Sequence, residues 1–388
     1  MKIDTNPEKI QEVLMRGVEN VYPDKGSLEA VLKSGKKIRL YNGIDPTGKL
    51  HLGHLAVFKK LRQFQDLGHE VIVLIGDFTA TIGDPTDKLA VRKPLTGKQV
   101  LENAKSYKKQ IGKILDLKKS NIRFLYNERW TNKLKPSDLL EIFSRFTVAR
   151  LLERDMFQKR VEEGRDVLLH EFVYPVFQAY DSVSMNVDLE VGGNDQTFNM
   201  LRGRDLMKKM KNKEKFVMSL KLLIDPSGKK MGKTESNFVA LDDSPEEMFG
   251  KIMSWPDSLI NLGFELLTDL PLPRENPREA KARLAKEIIK IFHEQKETDL
   301  AEEEFNKIFK EGGLPTEISE ITIQEKELNV LDLLVKTKLA SSKSEAKRLI
   351  EQAGVKIDNQ VQNDWQRTVE VKKGQILQVG KRKFAKVV

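Results

Sequence analysis

The sequence predicts an α/β chain: a parallel-sheet domain carrying a helical insertion, then an α-helical domain, then a small α+β unit. Three observations carry this reading. A strand, a glycine-rich loop and a helix run through residues 36–67, and the apolar stretch Val71–Ile75 completes a strand–helix–strand unit. A further strand, Val187–Val191, followed by Gly192-Gly193, resumes the pattern after a mostly helical interval. Beyond residue 328, two capped helical segments pass into short strands rich in lysine.

Composition sets the outer limits. A chain of 388 residues is too long for one ordinary domain and suits two or three. No apolar run approaches the roughly 18 residues that a membrane span needs, so no membrane partner is expected. The absence of cysteine excludes disulfides and thiolate metal sites. The first ten residues lack an apolar signal core, and together these features fit a cytoplasmic protein. The formal charge is +9, and residues 328–388 hold thirteen Lys and Arg against six Asp and Glu. Most of the surplus therefore sits in one small C-terminal unit, which favours a polyanionic partner over an evenly solvated surface.

Taken in order, the chain opens with a helical lead-in to about Gly35, marked by Ile10, Val13, Leu14, Leu28, Val31 and Leu32. Ile38 and Leu40 then alternate with polar residues as a strand, which Gly43, Pro46 and Gly48 break into a loop. Helical spacing follows at Leu55, Phe58, Leu61 and Phe64 and stops at Leu67-Gly68. A strand, a glycine-rich loop and a helix start offer backbone N–H groups and a positive helix end to a phosphate. His51 and His54 flank Gly53 at that helix start, where glycine lets a planar base approach the backbone. A zinc pair is disfavoured: with five histidines and no cysteine, the metal would need carboxylates from elsewhere.

The loop after the second strand, Asp77–Lys88, brings Thr79, Asp84 and Lys88 to the carboxyl edge of the sheet, where such sheets bind ligands. Residues 95–165 read as a helical insertion most of whose charges, Glu153, Arg154 and Lys159 among them, are expected at the solvated surface. Tyr174, Gln178 and Asp181 share one helix face. A phenol, an amide and a carboxylate on one face form either a convergent hydrogen-bonding set or a solvent-facing stripe, and spacing leaves both open. A strand at Val187–Val191 leads into Gly192-Gly193-Asn194-Asp195-Gln196. Another at 216–224 leads through the turn at 225–228 to a lysine loop containing Lys230, Met231 and Lys233. Helices starting at Ser244-Pro245 and Asn276-Pro277, and a third over 300–309, form the helical domain; 315–327 reads as an irregular linker. In the last unit, Ser342–Glu345 is a capping box, and Lys343, Lys347 and Arg348 lie on the polar side of the helix it starts.

Together, Tyr41-x-Gly43-x-Asp45-Pro46-Thr47, His51-Leu52-Gly53-His54, Tyr174-x-x-x-Gln178-x-x-Asp181, Gly192–Gln196 and Lys230-Met231-Gly232-Lys233-Thr234 resemble the signatures of class I aminoacyl-tRNA synthetases. Over essentially the whole chain the similarity is to bacterial tyrosyl-tRNA synthetases with a C-terminal ribosomal-protein-like RNA-binding domain. Leu52 stands where isoleucine is common, and Gly232 and Thr234 where serines are common; both changes keep size or backbone freedom.

The resemblance implies a Rossmann-like catalytic domain over 1–235, an α-helical anticodon-recognition domain and linker over 236–327, and the RNA-binding domain over 328–388. It implies tyrosine activation by ATP and transfer to tRNA(Tyr), with magnesium accompanying ATP and no dedicated protein metal cage, in a symmetric homodimer. Thr47, His51, Lys88, Arg92, Lys230 and Lys233 would surround the reacting phosphates, with His54, also among the catalytic residues, beside Gly53 on the ribose and adenine. Gly43, Gly53, Gly193, Asp195, Leu222, Leu223 and Met231 would complete the ATP site. Tyr41, Asp45, Thr79, Asp84, Tyr174, Gln178, Asp181 and Gln196 would hold tyrosine, and Lys343, Lys347 and Arg348 would meet RNA. Tryptophanyl-tRNA synthetases share fold and signatures; Tyr41 with Asp181 argues for a phenol over an indole.

Overall fold

The computed structural model describes residues 2–84, 97–224, 238–310, 318–380 and 383–388. The chain forms two units, residues 1–243 with 254–292, and residues 244–253 with 293–388.

The first unit opens with α1 (Pro7–Met15), β1 (Val18–Tyr22) and α2 (Lys25–Lys33). Then come β2 (Arg39–Ile44), α3 (Leu52–Asp66), β3 (Glu70–Ile75) and the short α4 (Thr79–Ile82). After α5 (Gly97–Ile111) and β4 (Ile122–Tyr126), four short helices follow: α6 (Glu128–Thr131), α7 (Pro136–Phe143), α8 (Val148–Leu152) and α9 (Asp155–Glu162). The long α10 (Leu169–Met185), β5 (Leu189–Gly193), α11 (Thr197–Lys211) and β6 (Phe216–Leu220) complete the sheet.

Strand order is β1-β6-β5-β2-β3-β4, parallel throughout except for β1, which runs antiparallel to β6. Val71 to Ile75 in β3 are all buried, as expected of a strand covered on both faces. The sequence runs outward from β2 to β3 and β4 on one side and from β5 to β6 on the other, so β2 and β5 flank the switch point where such sheets bind ligands. Here the ladder is short: Leu40 pairs with Leu189 and Tyr41 with Glu190, and the strands then part. The Asn42 side-chain amide bridges the opening to the Val191 carbonyl at 2.8 Å.

Two strands lie where the sequence reads as helical. β1 interrupts the helical lead-in, and β4 interrupts the expected 95–165 insertion by adding an edge to the main sheet.

In the second unit, α12 (Pro245–Met253) packs on a later helix, while α13 (Ile260–Leu267) and α14 (Pro277–Phe292) belong to the first unit. That later helix is α15 (Gln295–Lys310), and Phe249 of α12 meets Phe305 of α15 with ring centroids 5.3 Å apart. The C-terminal part comprises β7 (Ser319–Ile321), β8 (Glu327–Asn329), α16 (Val330–Lys336), α17 (Lys343–Glu351), β9 (Val355–Ile357), β10 (Gln360–Val361), β11 (Thr368–Glu370), β12 (Ile376–Val379) and β13 (Lys383–Val387). Leu333, Leu334, Ala346, Ile350, Leu377 and Ala385 form its core.

The segment expected to be an irregular linker is not irregular throughout. β7 joins β13 in parallel at the end of a five-stranded sheet, and β8 pairs with β11. The α17 start also departs from a strict capping box. Ser342 Oγ accepts from the Glu345 amide at 3.2 Å, but the Glu345 carboxylate turns to the Ser341 amide at 2.7 Å. Among the described residues no helix is long and apolar enough to cross a membrane.

Candidate active site

A cavity of about 310 Å³ opens at the carboxyl ends of β2 and β5. One end is the start of α3. His51 takes the extended conformation of a helix cap, and its Nδ1 accepts from the Gly53 amide at 3.1 Å. His54 returns the bond: its Nδ1 accepts from the His51 amide at 3.1 Å. The two imidazoles therefore form a capping box from residues that seldom cap helices. Gly53 permits it, since a Cβ there would lie 2.9 Å from the His51 ring. Burial, and then the charge of His51, push the His54 imidazole down to about 3, so it stays neutral at physiological pH.

The loop ahead of this cap is tied down by α5: the Asn103 amide donates to the Pro46 carbonyl at 2.7 Å, and the Tyr107 hydroxyl bonds to the Gly48 carbonyl. On the other side, Leu52 N donates to Val239 O at 3.2 Å, Leu241 N to Leu50 O at 2.9 Å, and Phe238 meets His51 edge-on.

The opposite end of the cavity is polar and buried. Asp181, on α10, is 3% exposed. One carboxyl oxygen accepts from the Trp130 indole at 2.8 Å and the other from the Asn127 amide at 3.2 Å. Burial outweighs those donors and pushes its carboxyl up to about 8. Tyr41 is fully buried on β2, its hydroxyl 2.9 Å from Ser182 Oγ. Between the two ends, Asp45 accepts from the Thr79 hydroxyl at 2.7 Å and from Tyr174 at 2.8 Å. Burial and the Asp45 charge push the Tyr174 phenol well above its usual range, which keeps it a donor. Gln178 Nε2 donates to Glu190 at 3.1 Å, and Gln196 Nε2 donates to Asp84 at 2.9 Å.

Of the residues singled out from sequence, Tyr41, Gly43, Asp45, His51, Gly53, His54, Thr79, Asp84, Tyr174, Gln178, Asp181, Gly193, Asp195, Gln196, Leu222 and Leu223 all line this cavity. Thr47 lies in the loop between Asp45 and His51, outside the lining. Lys88, Arg92, Lys230, Met231 and Lys233 lie outside the described residues. Tyr174, Gln178 and Asp181 form the convergent set, not a solvent-facing stripe.

One reading is corrected. Arg154, expected at the solvated surface, has a side chain only 11% exposed and pairs with Asp84 at 2.8 Å. Asp84 thus already has a cationic partner. Asn127 and Trp130 gain their meaning only from β4, whose place in the sheet puts the residues after Tyr126 at the carboxyl edge and which has no clear strand pattern in the sequence. Ser182 and Glu190, polar residues within otherwise ordinary elements, and Lys215, just ahead of β6, carry no local signal. In the C-terminal unit, Lys343 pairs with Asp332 at 2.6 Å, and Lys347 sits over the Trp365 ring at 4.1 Å beside the exposed Arg348.

Comparison with known proteins gives consistent matches along the whole length. The family described as tRNA synthetases class I (W and Y) matches residues 33–310. The family described as the tyrosine--tRNA ligase SYY-like C-terminal domain matches residues 309–387. A curated tyrosine--tRNA ligase of Moorella thermoacetica is 42% identical over 403 residues, covering 100% of this chain and 97% of the relative. That of Thermotoga maritima is 44% identical over 395 residues, covering 98% of each. Among solved structures, a C-terminally truncated mitochondrial tyrosyl-tRNA synthetase of Aspergillus nidulans aligns with a TM-score of 0.64 at 24% identity. It covers 78% of this chain and 94% of that one, and the likeness speaks to the fold.

Proposed function

The chain belongs to the class I tRNA synthetases, among their tyrosine–tRNA ligases, and from that premise we propose how its residues divide the work. The reaction uses ATP: the tyrosine carboxylate attacks the α-phosphate, pyrophosphate leaves, and the terminal ribose of the tRNA then attacks the adenylate. No protein nucleophile is required. Catalysis of this kind rests on positioning and on neutralising the charge that develops on pyrophosphate.

The observation that supports the assignment best is a single cavity with a buried carboxyl and phenol at one end and a histidine-capped helix start at the other. A phenol needs an acceptor and a donor. Asp181 accepts from the substrate hydroxyl, a third donor that joins Trp130 and Asn127 in favouring the carboxylate against the burial that raises it, and Tyr41 donates to that hydroxyl. The substrate ammonium lies toward Tyr174, Gln178 and Asp84, with Asp45, Thr79 and Gln196 lining the middle. ATP lies on the α3 start, with the base near Gly53 and Leu222-Leu223 and the ribose near His54, Gly193 and Asp195. Thr47, His51, Lys88, Arg92, Lys230 and Lys233 meet the phosphates. The described flanks of both lysine-bearing segments, Asp84 on one and Leu223 and Phe238 on the other, stand at the site. Magnesium arrives with ATP, held by phosphates and water.

The proposed division of labour is activation by 1–235, anticodon recognition by 236–327, and further RNA contact by 328–388 through Lys343, Lys347 and Arg348. Leu140, Val148 and Leu169 are 69%, 65% and 77% exposed, and that apolar exposure supports a symmetric homodimer; we place that dimer in the cytoplasm. ATP–pyrophosphate exchange measured against all twenty amino acids tests the assignment. Tyrosine alone is expected to drive it; exchange with tryptophan in place of tyrosine would overturn it.

A further inference from the structure

Beneath the tyrosine pocket lies a buried ion pair that the chemistry above does not use. Lys215 and Glu190 have side chains 0% and 3% exposed and are hydrogen-bonded to each other. The Lys215 ammonium has three protons and three partners: Glu190, Ser182 Oγ at 2.8 Å and the Met200 carbonyl at 3.2 Å. Its Nζ also lies 5.8 Å from the centre of the Tyr41 ring. Space for it is left by Gly203, where a Cβ would lie 2.5 Å from Nζ and 2.8 Å from Ser182 Oγ. Stability is a weak reason for such a pair, because apolar residues of similar volume serve a core as well or better.

Both ends of the pair reach groups that face the substrate. On one side, Ser182 Oγ accepts from Lys215 and touches the Tyr41 hydroxyl at 2.9 Å. A fixed positive charge turns the Ser182 hydroxyl dipole so that oxygen faces the ammonium and the proton points away, toward Tyr41. The Tyr41 oxygen then accepts; the Glu190 carboxylate also acts on this phenol, but its oxygens already accept from Lys215 and Gln178, so the Tyr41 proton turns to the pocket. On the other side, Glu190 accepts from Gln178 Nε2 at 3.1 Å, which turns the Gln178 carbonyl oxygen away from Glu190. An acceptor is what a substrate ammonium requires.

We propose that Lys215 is a positioning residue for tyrosine recognition: through Ser182 it makes Tyr41 a donor to the substrate phenol, and through Glu190 it presents the Gln178 carbonyl to the substrate ammonium. The chain Lys215→Ser182→Tyr41→phenol→Asp181 has one direction, and a substrate continues it only by accepting at one side and donating at the other. This rests on the reading of Tyr41, Gln178 and Asp181 as tyrosine contacts.

The test uses the full-length protein. Lys215→Met leaves Glu190 buried and unpaired, so it is paired with Glu190→Gln, and Ser182→Ala is made separately because it removes one hydroxyl from a helix without a new charge. Exchange kinetics with tyrosine and with phenylalanine, KM for ATP and thermal melting are measured. A single lost charge-assisted hydrogen bond corresponds to roughly 10- to 100-fold. The double variant and Ser182→Ala are each expected to lower the tyrosine-to-phenylalanine ratio of kcat/KM by about 10-fold or more, with KM for ATP unchanged. Loss of the Gln178 contact lowers both amino acids together through the ammonium they share, at unchanged KM for ATP and unchanged melting; a merely structural role would lower both together, disturb KM for ATP and melting as well, and leave the ratio alone. An unchanged ratio in a folded double variant overturns the proposal; if that variant does not fold, an unchanged ratio in Ser182→Ala overturns it. Asp181→Asn and Tyr41→Phe are run in parallel: if they too leave the ratio unmoved, the reading of the pocket has failed, and if they move it while the Lys215 and Ser182 variants do not, only the relay has.

Discussion

At the bottom of the pocket, burial raises the Asp181 carboxyl to about 8 while the Trp130 indole and the Asn127 amide pull against that shift. Those two donors occupy one direction on each oxygen and leave others for a ligand. A bound phenol completes the set; a phenylalanine ring strands Asp181 and Tyr41, at about 1–3 kcal/mol for each unpaired buried group. Asp181→Ala is therefore expected to reduce exchange efficiency with tyrosine by roughly 10- to 150-fold and with phenylalanine much less. Tyr41→Phe should be milder, since the ring that shapes the wall remains. Equal losses for the two amino acids in both variants would contradict the phenol-reading role. Asn127→Ala should raise KM for tyrosine and leave KM for ATP alone, because Asn127 also donates to Thr79 at 3.1 Å and touches only the amino-acid end. At this scale the sequence is legible wherever a residue sits in a dense local pattern, as Tyr174, Gln178 and Asp181 do. Arg154 was illegible because its significance depends on Asp84, seventy positions earlier, and an isolated arginine on a helical stretch looks like any solvated one.

Elements were legible in proportion to how completely they are buried. β3 is apolar along its length and visible at once. β1 and β4, at the sheet edges, have partly exposed residues and no clean alternation, and β7 and β8 are three residues each, defined by partners far along the chain. The α3 start was legible as a helix beginning after a glycine-rich loop, but not as a cap built from imidazoles. His54→Ala should weaken ATP binding and also cost about 1 kcal/mol of stability, the usual worth of a helix cap; an unchanged melting temperature would show that the cap carries no stability.

Further along α3, Lys60 is 4% exposed and donates to the Val13 carbonyl of α1 at 2.8 Å. Burial lowers its ammonium from 10.5 to about 7. Between those values the unfolded chain holds a proton that the folded chain has released, so folding stability from this group is full above 10.5 and is lost as pH falls toward 7. The slope is about 1.4 kcal/mol per pH unit. Urea titrations of wild type and Lys60→Met from pH 7 to 10 should differ by that slope; parallel curves would mean that the amine keeps its proton on folding.

For the whole molecule, the uneven charge is the property that reaches furthest from the active site. Residues 328–388 hold most of the +9 surplus, yet the sheet they complete begins earlier, at Ser319. A chain cut before Ser319 is expected to keep tyrosine-dependent exchange while losing tRNA charging, and to show a shallower dependence of tRNA affinity on salt. A chain cut at residue 328 would leave β7 without β13, an unpaired strand that invites association. Gel filtration of the two truncations separates these outcomes, and identical salt slopes in full-length and truncated chains would remove the C-terminal unit from RNA binding. The placement of this unit was legible from charge and helix caps, but its true start was not, because β7 carries no apolar run of its own.

The brief ladder between β2 and β5 has a consequence for how the protein breathes. Hydrogen bonds bind β2 to β3 from Arg39↔Glu70 to Ile44↔Ile75, but the β2–β5 seam closes with two residue pairs and the Asn42 amide. Backbone amides along this seam should be the first in the central strands to trade their protons for deuterium, at an opening free energy well below that of global unfolding. In the proposed placement tyrosine and ATP straddle the same seam, so together they should act as a zipper. Exchange at Tyr41, Asn42 and Val191 should slow when both are bound, while protection along the β2–β3 ladder stays where it was.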